Sequence, residues 1–434
     1  MEILVRFGTH QDRKYVVGGA SPHKFFNSEL YDRLILNANM VEISASACGA
    51  IVTTTNKPFI IDPITHAFGH SPIYIQSKDG TIKRGISELA GRYGDLVIQA
   101  VTQGRAVISR DFKDPAKVAD FCSKVIHFQR SRLREALAPD AKYLDEGDAV
   151  PEWLLAPYFL LTAGNMETWL DINCLLIGES AQTVGHGEEL HGVILIERAL
   201  LSQEDYLNTI IARYADQPVR GYLLWVSDLP ETEISTWEGR NLQRLVSALA
   251  GIGKSVYAAY GGYFSLLLSK AGMSGICYGP GYGEARNAVP VGGGLPSAKY
   301  YLPPVHARLP HREVQLAISH KPVEEFYEQV CACPVCRSVM HGGPNEFSQF
   351  GLSERRSKLT PDGVYVEYEF PTERTKEICN FHFLHSKRVE AEIVELADVP
   401  VLLEQLDCAR LEYEPYLGSA GVDHLSNWKN ALAG

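Results

Sequence analysis

The chain has 434 residues, 45% of them hydrophobic, and a formal net charge of -11. That length buries one large core with an appendage or two modest cores, and the acidic balance excludes a protein that coats nucleic acid by bulk attraction. No run of about 18 apolar residues marks a membrane span, and the opening MEILVRFGTHQ lacks the charged-then-apolar layout of a secretory signal, so the expected location is the cytoplasm.

In chain order, EILVRF (2–7) and KYVVGG (14–19) flank the polar turn GTHQDR and predict an N-terminal hairpin. Eight short apolar runs follow, each giving way to turn residues and, in most cases, to a segment with helical spacing. They are LNANMVEIS (36–44), PFIIDPITH (58–66), RAVISRD (105–111), LLAPYFLLT (154–162), HGVILIERA (191–199), RGYLLWVSD (220–228), SVYAAYGG (255–262) and SGICYGPG (274–281). Between them the spacing predicts helices over 86–103, 115–137, 203–217, 239–253 and 263–272. Strands alternating with helices pair in parallel through crossovers, and eight such units in about 250 residues match a closed (β/α)8 TIM-like barrel of the α/β class. The rival, an open doubly wound sheet, would carry G-x-G-x-x-G after its first strand, and this chain does not. The glycine-rich YGPGYGEARNAVPVGGG (278–294) comes after the last strand, where barrels often hold polar or anionic substrate groups; a plain surface loop accounts for it equally well. The basic runs FQRSRLRE (128–135) and HSKRVE (385–390) read first as solvated helix faces and second as a local groove for nucleic acid.

From about residue 325 the pattern changes to the cluster CACPVC (331–336), a polar stretch (341–363), a strand GVYVEYEF (363–370) and helices to the end. Nine cysteines with one tight cluster suit a reducing compartment, where clustered thiolates bind metal. Cys333 and Cys336 form C-x-x-C, a spacing that lets two thiolates reach one ion in a tight turn, and Cys331 supplies a third. The helical segment CNFHFLHSKRVEAE offers the fourth ligand: His382 first, His385 on the same face second, and His341 a distant third. A redox C-x-x-C would need a thioredoxin-like βαβ context, which the surrounding residues do not supply. Four protein ligands close a zinc site and make it structural. The predicted organisation is a barrel with its N-terminal hairpin over 1–324 and a zinc-binding C-terminal subdomain over 325–434.

A barrel followed by C-x-C-x-x-C and a distant helical His resembles the tRNA-guanine transglycosylase superfamily, in which those four residues hold zinc. CACPVC and FHFLH carry the resemblance. The barrel departs from the pattern. Where tRNA-acting members read D-S-G-G-F-Q, this chain reads IIDPITHAFG and keeps Asp62 alone; T-R-x-A-R is absent, although GEARNA lies nearby; and the gap between Cys336 and His382 is longer. These departures are similar to the branch that exchanges guanine in DNA for a 7-deazaguanine. The resemblance spans roughly residues 35 to 400 in architecture and is specific at the metal motif. It implies base exchange at a nucleotide's C1′ without ATP, with a 7-deazaguanine as incoming base and DNA as a substrate ahead of tRNA.

Retaining cleavage of an N-glycosidic bond wants one carboxylate at the anomeric carbon and a second acid/base group for the leaving purine. Carboxylates at the C-terminal ends of barrel strands are the candidates. Asp62 is read as the proton-handling group and Asp228 as the nucleophile. Glu284 competes for the second role because the tRNA enzymes place their nucleophile on the last strand; Asp228 ahead of LPETE also fits a plain helix cap. Glu197, His66, His70 and Arg110 are candidate contacts to a base or phosphate, with hydrogen-bonded structure as the bland alternative. Tyr260 and Tyr263 are placed to stack on a purine, and Gly261 and Gly262 to let its ring approach the backbone. Flipping a base from a duplex costs a few kcal/mol, so a basic or ATP-driven DNA-opening partner is expected. Two other readings stand beside exchange: a non-catalytic zinc barrel serving as a nucleic-acid-modification subunit, and a nucleoside or sugar hydrolase using the same carboxylates.

Overall fold

The computed structural model describes residues 1–17, 25–70, 74–77, 79–137, 149–281, 283–289, 299–359 and 363–433. The end of KYVVGG, parts of the 278–294 loop and parts of the 341–363 stretch lie outside them.

Eight parallel strands close into a barrel: β1 (Glu2–Phe7), β2 (Arg33–Asn37), β3 (Phe59–Asp62), β4 (Trp153–Leu155), β5 (Glu189–Glu197), β6 (Gly221–Ser227), β7 (Ser255–Ala258) and β8 (Met273–Tyr278). Alternate side chains of each strand point in and out. Inward, Leu4, Ile35, Ile60, Leu155, Val193, Leu223, Trp225, Tyr257 and Cys277 fill the centre as one cluster. Outward, Ile3, Val5, Leu34, Leu36, Ile61 and Ile194 join the larger core under the helices. Both layers are buried, and each fully buried aliphatic side chain contributes about 1.5–3 kcal/mol.

The strand count of eight holds, but its membership changes. EILVRF is not half of a hairpin; it is β1, paired in parallel with β2 on one edge and β8 on the other. The residues expected to return as its partner form the short helix Arg13–Val16. RAVISRD is not a strand: Asp111 accepts the Ile108 amide at 2.9 Å and pairs with Arg105 at 2.7 Å, which winds Ser109–Phe112 into a 3-10 turn. The helix expected over 86–103 is two, Arg84–Tyr93 and Asp95–Thr102, divided at Gly94, whose φ of 94° belongs to the left-handed half of the map.

After the barrel come the antiparallel pair β9 (Lys299–Leu302) and β10 (Ala307–Pro310), the helices His311–Ile318, Val323–Gln329 and Pro334–Val339, and a second antiparallel pair, β11 (Ser353–Leu359) and β12 (Tyr365–Pro371). Three long helices follow: Glu373–Leu396, Val399–Leu417 and Ser419–Leu432. The first is capped by Thr372, whose side chain accepts the Thr375 amide. The last returns to the barrel, where Trp428 donates its indole N–H to the Glu231 carbonyl at 2.9 Å. No helix among the described residues is long and apolar enough to cross a membrane.

Candidate active site and metal centre

At the C-terminal end of the barrel the inward positions turn from aliphatic to polar, and Arg6, Asn37 and Asp62 come together from β1, β2 and β3. Arg6 Nη1 donates to Asn37 Oδ1 at 2.6 Å and to Asp62 Oδ2 at 2.8 Å. Asp62 Oδ1 accepts the Tyr158 hydroxyl at 2.7 Å and the Ile64 amide at 2.9 Å. The carboxylate is 3% exposed, so these donors take the place of water and match its charge inside the barrel. Burial is the largest influence and opposes its ionisation, but the charge and hydrogen bond of Arg6, together with its other neighbours and the Ile64 amide, hold the carboxyl below its ordinary pKa. Ile64 reaches Asp62 from a left-handed backbone, φ 46°, a costly conformation for a β-branched residue and one that persists where surrounding contacts over-determine it.

Rings wall this mouth. His66 stacks on Tyr158 at 5.3 Å and meets Trp225 edge-on at 4.9 Å. Tyr260 packs against Trp225 at 4.9 Å, with Arg6 over its face at 4.7 Å. Burial lowers the His66 pKa to about 3, so the ring is neutral, and its Nδ1 has no hydrogen-bond partner among the described residues. The segment 283–289 lies across the opening: Arg286 donates to the Tyr260 hydroxyl at 3.0 Å, its carbonyl accepts the Trp225 indole N–H at 3.0 Å, and Ala288 is buried in the barrel cluster. The space left beneath, bounded by Arg6, Asp62, Tyr158 and Trp225, is about 10 Å³, room for about one water.

The other expected site residues divide between this mouth and a side cleft. Asp228 ends β6 exposed, with φ 58°, and its amide donates to the Arg286 carbonyl at 3.2 Å. Glu284 faces a cleft of about 400 Å³ between the loops after β6, β7 and β8 and the β9–β10 pair. It is already ion-paired, with Arg308 at 3.0 Å and Lys387 at 3.3 Å. Tyr263 also lines the cleft but is 2% exposed and stacks on His306 at 3.3 Å, so it is part of the wall. Gly261 and Gly262 serve packing instead of a ligand ring: a Cβ on Gly261 would stand 2.9 Å from Ser265, and one on Gly262 2.8 Å from Glu231. Glu231 is the reason, since it accepts the amides of Gly262 at 2.8 Å and Phe264 at 2.7 Å. Glu197 accepts the Ala163 amide and pins the β4–β5 connection. Arg110 is exposed on the 3-10 turn that replaces the expected strand, and His70 lies beside His66, ring centroids 6.2 Å apart. Among the described residues no hydrogen bond links Asp62 to Asp228 or Glu284.

The metal centre assembles as the spacing predicts. Cys331, Cys333, Cys336 and His382 place their ligand atoms within 4.8 Å of one another. Cys333 caps the helix Pro334–Val339 and its sulfur accepts the Cys336 amide at 3.4 Å, which turns both thiols to one side. His382 Nδ1 stands 3.6, 3.4 and 3.4 Å from the three sulfurs, close to the ~3.5 Å that tetrahedral bonds of about 2.3 and 2.0 Å imply. Its Nε2–H donates to the Tyr301 carbonyl at 2.7 Å, which fixes the tautomer that leaves Nδ1 free to ligate. Tyr300 stacks on the imidazole at 4.1 Å and its hydroxyl meets Cys336 Sγ at 3.2 Å. Burial pushes the Cys333 and Cys336 thiols up, whereas hydrogen bonds from those two hold Cys331 well below its ordinary value; a dication bound here would keep all three sulfurs ionised. His385 is no ligand, since its Nε2 donates to the Phe25 carbonyl at 2.8 Å, and His341 is exposed outside the cluster.

No protein-family model matches this chain, and a search of curated proteins returns no match. The site therefore stands on its own geometry. Sequence reasoning missed Arg6, Asn37, Tyr158, Trp225 and Arg286. Arg6 and Asn37 had a usable signal, a polar residue at an inward position near the end of an otherwise apolar strand. Tyr158 and Trp225 sit inside apolar runs and carry no such mark.

Proposed function

We propose that the chain is a transglycosylase that exchanges guanine for a 7-deazaguanine base in nucleic acid, DNA ahead of tRNA, and that the ion of its C-terminal subdomain is zinc. The observation that carries this reading is an ionised carboxylate, Asp62, held at the barrel mouth within a wall of rings from His66, Tyr158, Trp225 and Tyr260. Flat rings and a fixed acceptor suit a purine, whose edge donates N–H groups. With Arg6 keeping it ionised, Asp62 fits as the acceptor that orients the base or steadies positive charge on the sugar, ahead of the proton-delivering role. Asp228, exposed at a strained turn beside the loop 283–289, fits as the nucleophile once that loop lifts. The three sulfurs and one nitrogen match the donor set and tetrahedral spacing of zinc, and four protein ligands leave it a structural role.

A second reading, a non-catalytic barrel subunit, draws on one observation: with 283–289 across the opening, the space bounded by Arg6, Asp62, Tyr158 and Trp225 is about 10 Å³, far too small for a purine. Incubating the chain with labelled 7-deazaguanine and either DNA or tRNA separates the two. Exchange predicts incorporation into DNA that drops by about 10²-fold or more in Asp62→Asn and Asp228→Asn. Incorporation into neither polymer sinks the exchange reading; incorporation indifferent to both substitutions sinks the residue assignment.

A further inference from the structure

The long gap between Cys336 and His382 holds the ribbon β11–β12, seven cross-strand pairs from Ser353↔Pro371 to Leu359↔Tyr365. β11 is exposed at every position, and β12 at Tyr365, Val366, Glu367 and Glu369. An isolated two-stranded ribbon is marginal in water, and this one is braced at its base by cations on an aromatic ring: Arg356 stands 4.1 Å and Lys376 4.0 Å from the centre of Phe370. The register puts Glu354, Arg356 and Lys358 on one face with Phe370, Tyr368 and Val366. The one acid there, Glu354, is paired with Arg356. Arg355 lies on the other face, across from Glu369, whose carboxylate accepts the Ser353 hydroxyl at 3.1 Å. Arg355 and Lys358 make no ion pair among the described residues. β11 carries Arg355, Arg356 and Lys358 against the single acid Glu354, whereas β12 carries Glu367 and Glu369, so in a chain of net charge -11 the cationic side of the ribbon is the strand β11.

Its position follows from the helix it feeds. Near its start the helix Glu373–Leu396 places Asn380 on the Tyr15 hydroxyl at 3.0 Å, beyond the end of β1, and 3.3 Å from where a Gly281 Cβ would stand, beyond the end of β8. Near its finish Glu395 meets the Met1 amine at 2.9 Å, and its carbonyl accepts from Lys270 at 3.2 Å, ahead of β1 and β8. The helix thus runs antiparallel to the strands, and the ribbon leaves the protein at the end where Asp62 lies.

We propose that β11–β12 is an arm that binds duplex DNA at the barrel mouth, a deepening that rests on the base-exchange reading for its choice of nucleic acid. A two-stranded ribbon fits the major groove of B-form DNA, about 12 Å wide, whereas the deep, narrow major groove of A-form RNA does not admit it. Arg356 and Lys358 from one face and Arg355 from the other meet phosphates on the two walls of the groove. Leu359 and Tyr365, 53% and 72% exposed, form the outermost cross-strand pair and face the bases.

Binding of the full chain to a short labelled DNA duplex, a single strand and a tRNA tests this without requiring catalysis. Arg355→Gln with Lys358→Gln, both exposed and outside the Phe370 brace, is expected to weaken duplex binding about tenfold or more and to flatten its salt dependence by about 0.9 per lost phosphate contact. Arg84→Gln, on a barrel helix, is expected to change nothing. Duplex affinity equal in the ribbon variant and the parent overturns the arm, as does ribbon-dependent binding that is stronger for tRNA. Incorporation assays read the exchange separately: a parent chain that grips duplex through the ribbon yet incorporates no base keeps the arm and sinks the exchange.

Discussion

The barrel mouth and the metal centre both bury polar, ionisable groups, and they balance them by different means. At the mouth the chain supplies both signs, with Arg6 2.8 Å from Asp62. At the centre it supplies three sulfurs and an imidazole, and no lysine or arginine among the described residues hydrogen-bonds one of these sulfurs. The first cluster is complete when the chain folds; the second has the donor set to take a dication from outside.

That contrast breaks most visibly on metal removal. Chelation, or Cys336→Ser, is expected to unfold the C-terminal subdomain, because structural zinc contributes on the order of 10 kcal/mol to comparable sites; circular dichroism beside metal analysis checks it, with about one zinc per chain expected in the parent. Retained metal and unchanged melting in Cys336→Ser would erase the distinction. Acid comes next. His66 and His191 are held near pKa 3 and His424 near 4, all three by burial. The unfolded chain takes up these protons near pH 6.5 and the fold does not, so their contribution is full above about 6.5 and falls toward pH 4 by about 1.4 kcal/mol per pH unit for each. The Asp62 pair stays intact in that window, because a lowered carboxyl pKa keeps its stabilisation until pH drops below the ordinary value of about 3.9. Urea titrations across pH separate the two ranges.

Asp62→Asn leaves Arg6 buried without its counter-ion and is expected to cost about 3–5 kcal/mol, whereas Arg6→Met with Asp62→Leu recovers most of that loss. A single substitution as mild as the double would mean the mouth does not depend on its ion pair; urea unfolding of both variants reads the difference. The smallest effect is at the loop: Arg286→Ala removes one hydrogen bond to Tyr260, about 1 kcal/mol. Hydrogen exchange should then quicken at the Ala288 amide, which donates to Ser227 Oγ at 2.9 Å, and leave the metal centre unchanged.

Local chemistry made the metal centre readable, since three cysteines within six residues are too dense for one disulfide and close enough to share one ion; the helical spacing offered His382 and His385 alike, and only the fold brings His382 to the sulfurs. The barrel was readable as a rhythm of apolar runs, but not its membership. EILVRF precedes a polar turn and a second apolar run, which is also how a hairpin looks; only pairing with β8 reveals its place. RAVISRD has strand-like composition, and the Arg105–Asp111 pair that bends it leaves no trace in periodicity. Arg6 was marked as an inward polar residue on its strand, but its pairing with Asp62, 56 residues on, was beyond local reading. Gly262 was opaque for a related cause, because the group that needs the space is Glu231, 31 residues earlier and on a different loop; at Gly261 it is Ser265.

β1 has two edges, and they are satisfied at different moments of the chain's life. One edge pairs with β2 as soon as residue 37 exists; the other must wait for Met273–Tyr278, roughly 240 residues later. At about 5–20 residues per second of synthesis, the strand that carries Arg6 stays open along that side for tens of seconds. An apolar, unpaired edge of that kind is a template for misplaced pairing. Ring closure is therefore a late, sequence-distant event, and the nascent barrel carries one open edge until its last strand arrives.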